Sequence, residues 1–146
     1  MTQVATSEKV VALTFDDGPG VHTDEILRIL EEHNVKATFF LTGREIKAHR
    51  DKAQKIAKAG HQIGNHSYSH QRMVFKSPTF IRIVNYVRER IEPGSIILLH
   101  VMYESRTASL KAVEGIITAL KQEGYSFVTG SELLRYQEES PLPTKP

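Results

Sequence analysis

The residues Val10-Val11-Ala12-Leu13-Thr14-Phe15-Asp16-Asp17-Gly18-Pro19 predict a buried strand that ends in two carboxylates. An apolar and β-branched run is followed directly by the acid pair, and Gly-Pro then interrupts any regular element. Parallel strands have this composition because both of their faces are covered. Successive strand residues point to opposite sides, so Asp16 and Asp17 are expected to have different roles, such as proton transfer and metal ligation. A simple turn is the alternative interpretation, because Asp-Asp-Gly-Pro is favourable turn sequence in any protein.

Outward from this strand, apolar segments alternate with segments of helical periodicity. Five strands are predicted, at Val10–Phe15, Lys36–Leu41, His61–Asn65, Ser95–His100 and Tyr125–Val128. The first intervening helix is predicted to be capped by Thr23, and the second to run over about Arg44–Ala59. The third is predicted to begin at Ser77-Pro78, the fourth to run over about Ser105–Glu123, and the last to be capped by Ser131. This alternation predicts an α/β fold of parallel strands joined by right-handed helical crossovers.

Length and composition indicate one globular domain of 146 residues, with a core over about 9–136 and a flexible tail over 137–146. The lead-in Met1–Glu8 is polar and is expected to be loose, and the proline-rich end is expected to be disordered. A net charge of +2 without a basic cluster gives no reason to expect nucleic acid. The chain has no Cys, which excludes disulfides and thiolate metal sites. No apolar run reaches the length of a membrane span and Met1–Lys9 has no signal core, so we expect a soluble chain.

Histidines follow two of the predicted strands. His66 and His70 are four residues apart, a spacing that brings two imidazoles together on one helical turn. Together with Asp17 they form an Asp-His-His set with open positions, as a catalytic metal requires. Two solvated loop histidines are the alternative. His100 closes the most apolar strand and could equally be a hydrogen-bonded core histidine. The remaining histidines are predicted to lie on the surface: His22, His33, His49 and His61.

Three segments together resemble one known family. The segments Thr14–Pro19, His66–His70 and Ile96–His100 closely resemble the polysaccharide deacetylases with a NodB homology domain, carbohydrate esterase family 4. The resemblance runs from about Val10 to Leu134, and three motifs in order are far more specific than any one of them. It implies a deformed (β/α) barrel, a hydrolase that removes N-acetyl groups from an amino-sugar polymer similar to chitin or peptidoglycan, and a location in the cell envelope or outside the cell.

The resemblance also implies a role for each matching residue. Asp16 corresponds to the catalytic base and His100 to the general acid. Asp17, His66 and His70 correspond to the metal ligands, with zinc as the default ion, although cobalt or nickel also suits mixed oxygen and nitrogen ligands. No organic cofactor is expected, and the partner is an N-acetylated carbohydrate.

The chain departs from the family pattern between His70 and Ile96. Nothing in Gln71–Pro93 resembles the Arg-Pro-Pro-Tyr-like and Asp-Trp-like motifs of the family, and only one helix stands where about two further strand-helix units are expected. The missing groups orient the base, stabilise the oxyanion and tune the acid. A closed parallel barrel takes about seven or eight strands, so five predict an incomplete barrel or one that a homodimer or swapped oligomer completes. Omission of residues of the natural protein is a third explanation.

Two other functions are consistent with parts of the sequence. Phosphatases of the haloacid dehalogenase type also place acids after a first strand, but they need Asp-x-Asp so that both carboxylates point the same way. A metal-binding and glycan-binding remnant that has lost catalysis is the stronger alternative, because the family motifs are incomplete. We therefore expect the metal ligands to be retained and catalysis to be weak or absent.

Overall fold

The computed structural model describes residues 2–67 and 79–137. Its strands are β1 (Thr2–Gln3), β2 (Val10–Gly18), β3 (Thr38–Leu41), β4 (Gln62–Asn65), β5 (Ser95–Leu99) and β6 (Ser126–Val128). Its helices are α1 (Thr23–Glu32), α2 (Gly43–Ala48), α3 (Arg50–Lys58), α4 (Phe80–Arg90), α5 (Thr107–Gln122) and α6 (Gly130–Leu134), with a 3-10 turn at Glu104–Arg106. No helix in these two ranges is long and apolar enough to cross a membrane.

The sheet is built around β2. Its order is β1-β5-β2-β3-β4, and β6 pairs with the first residues of β2, Val10 to Ala12. Strands β3, β5 and β6 are parallel to β2, and β4 is parallel to β3, which confirms the predicted α/β fold with parallel strands. All nine residues of β2 are buried, as expected for a strand with neighbours on both edges and cover on both faces.

The two faces of the sheet have different cover. Alternate residues of β2, including Val11, Leu13 and Phe15, pack with α1 and α5 in the main hydrophobic core. We call the opposite face the inner face. A second, smaller core of Val4, Val10, Ala12 and Leu133 lies there, and Ile96 and Val128 pack against it. Leu133 belongs to α6, so this last helix covers the first residues of β2 on the inner face.

Several local predictions were wrong. Met1–Glu8 is not simply a loose lead-in, because β1 pairs antiparallel with β5 and the Val4 amide donates to the Gly94 carbonyl at 2.8 Å. The predicted helix Arg44–Ala59 is interrupted at His49, where α2 ends and α3 begins.

Helix caps also differ from the sequence prediction. Thr23 lies inside α1 rather than at its cap, and its hydroxyl accepts from the Gly20 amide at 2.9 Å. Thr129, not Ser131, caps α6 and forms a capping box with Glu132. Ser77-Pro78 and the proline-rich tail lie outside the described residues.

His61 is buried, which contradicts its predicted surface position. Its Nδ1 accepts a hydrogen bond from the Ala37 amide at 3.1 Å, and its ring packs on Phe39 with 5.3 Å between ring centroids. Burial, assisted by the nearby positive charge of Lys36, lowers the pKa of His61 from 6.5 to about 4. His61 is therefore neutral in the folded protein at neutral pH and acts as a hydrogen-bond acceptor that holds the start of β3.

The lowered pKa of His61 predicts a loss of stability in acid. Between pH 6.5 and about 4 the unfolded chain binds a proton that the folded protein does not. The free energy of unfolding therefore falls as the pH falls through this window. Replacement His61→Phe should reduce this pH dependence, and should cost about 1–3 kcal/mol at neutral pH because the Ala37 amide loses its acceptor. Urea unfolding across the window measures both effects. His49→Phe is the matched control, and an unchanged pH dependence in His61→Phe would contradict the assignment.

The sheet is open where the family pattern is interrupted. Within the described residues, β4 pairs only with β3, and β5 pairs with β1 only at Ser95 and Ile96. β4 and β5 therefore lie on opposite sides of β2 and β3 and do not close a barrel. Large apolar side chains are exposed on these two strands and beside them, namely Ile63 of β4, Leu98 of β5 and Tyr86 of α4.

We expect this open side to cause self-association. Unpaired strand edges beside exposed apolar side chains are sites where a second copy can add. Size-exclusion chromatography with light scattering at micromolar concentration should give a mass above 16.5 kDa. Replacing Ile63 and Leu98 by Lys should shift the population toward monomer, whereas Leu134→Lys, an exposed position on α6, should not. A single sharp monomer peak for the parent chain, with cooperative unfolding, would contradict this expectation.

Candidate active site

The acid pair lies at the carboxyl end of β2, and both carboxylates are buried. The pairing of β2 with β3 is interrupted here, because Asp16 is opposite Phe40 while Gly18 is opposite Leu41. Asp17 occupies the extra position with a φ of +68°, a left-handed conformation that Asp tolerates better than most residues. Such a bulge re-aims a side chain. The alternation expected of a regular strand therefore fails at Asp17, and both carboxylates reach the same space.

His66 follows β4 and faces both carboxylates. Its amide donates to the Leu41 carbonyl at 3.0 Å, and the next residue, Ser67, accepts from the Gly43 amide at 3.0 Å. These bonds hold the end of β4 against the end of β3. The imidazole Nε2 lies 3.2 Å from Asp17 Oδ1 and 3.6 Å from Asp16 Oδ2.

His100 approaches the same carboxylates from the other side. It follows β5, and the next two residues, Val101 and Met102, are buried and anchor the chain beyond it. The Thr23 hydroxyl contacts the Met102 sulfur at 3.5 Å. A Cβ at Gly20 would lie 2.3 Å from the Met102 carbonyl oxygen, so Gly20 permits this close packing. His100 Nε2 lies 3.8 Å from Asp16 Oδ2 and 3.9 Å from Asp17 Oδ2, and its side chain is partly exposed.

Four of the five predicted site residues therefore meet at one edge of the sheet. Asp16 and Asp17 lie at the end of β2, His66 follows β4 and His100 follows β5. The Nε2 atom of each imidazole lies within 3.9 Å of an oxygen of each carboxylate. Parallel strands bring their carboxyl ends to one edge, which is why positions distant in sequence converge. The fifth residue, His70, lies outside the described residues. The roles of these residues remain predictions.

The buried donor atoms of the site include a carboxylate oxygen that a divalent ion could bind. Asp17 Oδ1 is buried, has no hydrogen-bond partner in the described part of the chain, and lies 3.2 Å from an imidazole nitrogen. A buried carboxylate oxygen without a hydrogen bond is costly, and a cation would compensate it. Across residues 2–67 and 79–137, no group of three or more His, Cys, Asp or Glu is arranged to hold an ion by itself. Asp17 and His66 supply a carboxylate oxygen and an imidazole nitrogen, which are donor types that suit a divalent ion. The predicted third donor is His70.

Two cavities flank the acid pair. One, of about 400 Å³, is lined by Asp17, Glu45, His49, Tyr103 and other residues of a polar rim. The other, of about 740 Å³, begins at Asp16 and His66 and continues along the inner face of the sheet. It includes Tyr86 of α4, which the motif analysis did not identify. The alternation of β2 and β5 could have indicated its other walls, because Thr14 and Leu98 lie on the same face as Asp16.

Comparison with known sequences gives one family and a series of relatives. The family model described as "Polysaccharide deacetylase" matches residues 3–92. A peptidoglycan-N-acetylglucosamine deacetylase of Bacillus cereus is 28% identical over 197 aligned residues, which span 92% of this chain and 92% of the relative. The alignment is longer than the 146 residues of this chain. The relative therefore carries residues that have no counterpart here, as the interrupted motif pattern predicted.

Solved structures show the same fold. The Bc1960 peptidoglycan N-acetylglucosamine deacetylase has a TM-score of 0.85 at 28% identity, with 94% of each chain covered. A family 4 acetyl xylan esterase from Clostridium thermocellum, in complex with a cobalt ion, has a TM-score of 0.77 at 28% identity, covering 87% of this chain and 91% of its own. BA3943, a CE4 family pseudoenzyme from Bacillus anthracis, has a TM-score of 0.77 at 26% identity, covering 89% and 66%.

Proposed function

Because the chain belongs to the polysaccharide deacetylase family, we propose that it hydrolyses the N-acetyl group of an amino-sugar polymer. The observation that carries this proposal is the convergence of two carboxylates and two imidazoles at one edge of the sheet. The relatives are named as deacetylases of peptidoglycan and of chitooligosaccharides, and these glycans are the proposed substrate class. The products are acetate and a de-N-acetylated amino sugar.

The family resemblance implies that Asp16 is the base and His100 the acid, and their positions are compatible with these roles. Asp16 is buried between the two imidazoles, where its carboxylate takes the proton of the attacking water. His100 has a partly exposed imidazole at the mouth of the site. It donates a proton to the sugar nitrogen as the carbon–nitrogen bond breaks, so that the amine leaves in neutral form.

A divalent ion, with zinc as the first choice, would be held by Asp17, His66 and His70. Such an ion supplies a lowered pKa for a bound water and polarisation of the acetamide carbonyl. The described ligands contribute one carboxylate and one imidazole, donors that zinc and cobalt accept. The cobalt ion of the acetyl xylan esterase structure supports this choice of ligand chemistry.

We expect turnover to be slow compared with a complete family member. The motif expected to supply an oxyanion donor has no counterpart in Gln71–Pro93, and loss of one such donor costs about 10²–10³ in rate. The partners that orient the base and tune the acid are missing with it. Acetate release by this chain and by the Bacillus cereus relative should be compared on the same chitooligosaccharide at equal metal loading. Equal rates would contradict this expectation and would imply replacement groups.

A binding protein without catalysis is the second candidate. It is favoured by the interrupted motifs and by the similarity to a pseudoenzyme of the same family. Mass spectrometry of N-acetylchitooligosaccharides after long incubation separates the two candidates. Stepwise loss of acetyl groups supports the deacetylase, whereas saturable glycan binding with no mass change supports the remnant. Acetylated xylan should be included, because one similar structure is an acetyl xylan esterase.

A further inference from the structure

The cavity of about 740 Å³ beside Asp16 is the space that a closed barrel would fill with side chains. Its polar end is formed by Asp16, Asn65 and His66, and its walls by Thr14, Phe40, Tyr86, Ile96 and Leu98, of which Tyr86 and Leu98 are also exposed to solvent. Ile96 lies opposite Ala12, four residues before Asp16 along β2. At about 3.3 Å per strand residue, the cavity extends roughly 13 Å from the acid pair along the inner face of the sheet.

The apolar character of this cavity depends on two local features. A Cβ at Gly64 would lie 2.6 Å from the Phe40 ring, so Gly64 lets that ring lie against the backbone of β4 and leaves the cavity open. The Thr14 hydroxyl, on the cavity wall, donates to the Ile97 carbonyl at 3.0 Å. The donor of this hydroxyl is therefore used by the protein, and the side chains of Phe40, Ile96 and Leu98 give this part of the cavity an apolar wall.

We propose, on the basis of the function proposed above, that this cavity is an acyl pocket, and that the site accepts N-acyl amino sugars with chains longer than acetyl. The reacting carbonyl must lie beside Asp16, at the junction of the two cavities. The polar cavity beside Asp17, with Glu45 and Tyr103, suits the sugar. The acyl chain then points into the apolar cavity, where each added methylene removes further apolar surface from water.

Binding of N-acetyl-, N-butyryl-, N-hexanoyl- and N-octanoylglucosamine to the full chain tests the pocket directly. Titration calorimetry in the presence of chelator separates binding from any reaction. Each added methylene should raise the affinity about three- to fourfold while the chain remains inside the cavity. An affinity that is unchanged or falls from acetyl to hexanoyl would overturn the proposal.

Matched variants locate the binding. Leu98→Trp should fill the cavity and remove the dependence on chain length, and Gly64→Ala should do the same by displacing the Phe40 ring. Ile63→Trp is the control, because Ile63 is exposed on β4 but does not line the cavity. Circular dichroism shows which variants fold, and Gly64→Ala serves if Leu98→Trp does not. A chain-length dependence that persists in both folded cavity variants would overturn the assignment.

The two proposals fail in different ways. If N-acetylated oligosaccharides are hydrolysed but affinity does not rise with acyl length, the acyl pocket is wrong and the deacetylase function stands. If affinity rises with acyl length but no acyl group is ever released, the pocket stands and the hydrolytic function is wrong.

Discussion

The double replacement of His66 and His70 by Ala is expected to abolish stoichiometric zinc binding. The two imidazoles are the proposed nitrogen ligands, and His66 Nε2 already lies 3.2 Å from Asp17 Oδ1. A single carboxylate ligand that remains cannot hold zinc at micromolar concentration against water, because catalytic sites use three protein ligands. Metal content after dialysis against zinc, together with titration calorimetry, measures the loss.

The control for the metal experiment is a second pair of histidines. His33→Ala with His49→Ala removes the same number of imidazoles from outside the cluster and should leave one zinc per chain. Asp17→Asn should reproduce the loss seen in the double variant, because it removes the oxygen ligand. Undiminished zinc binding by the His66 and His70 double variant would show that the proposed ligand set is wrong.

Replacement Asp16→Asn is expected to lower turnover by about 10²–10⁴ while the zinc content stays near one per chain. An amide cannot take the proton from water, and general base catalysis is worth about this factor. The neighbouring change Asp17→Asn should instead lose turnover together with the metal. Acetate release and metal content, measured on the same preparations, separate the two roles.

These two variants are needed to separate the roles of Asp16 and Asp17. Both carboxylates lie within 3.9 Å of the His100 imidazole, so distance alone does not distinguish them. If Asp16→Asn lost the metal and Asp17→Asn kept it, the two roles would have to be exchanged. If Asp16→Asn kept full turnover, the base would have to be another group.

Much of the fold was predictable because the strands are apolar runs with distinct ends. β4, β5 and β6 lie within one residue of their predicted bounds, β3 begins two residues later than predicted, and β2 continues three residues beyond Phe15. β1 was not predictable, because two polar residues carry no strand pattern and pair through their backbone alone. The break between α2 and α3 was missed because Ile46, Ala53 and Ile56 are spaced seven and three residues apart, as on one face of a continuous helix.

The site was predictable to a different degree for each residue. That strand ends would bring Asp17, His66 and His100 together followed from parallel topology. The common direction of the Asp16 and Asp17 carboxylates was not predictable from topology, because it depends on the bulge and on the positive φ of Asp17. The buried state of His61 was missed because its sequence neighbours are polar, whereas its burial comes from Phe39 on the adjacent strand.

The open sheet connects the sequence gap to function. Within the described residues, β4 and β5 have few strand neighbours, and the inner face next to Asp16 borders a cavity. The incomplete motifs account for the expected slow turnover, and the open sheet accounts for the expected self-association and the proposed acyl pocket. Acetate release, molecular mass in solution and the dependence of affinity on acyl length test these three expectations separately.

Acetate release from an N-acetylchitooligosaccharide, with and without chelator, shows whether this chain is a metal-dependent deacetylase. We expect slow release by the zinc-loaded chain, loss of release on chelation, and recovery when zinc is restored. We also expect that the His66 and His70 double variant shows none of this recovery. Release that is unaffected by chelator, or no release from a chain that carries one zinc, would contradict this expectation.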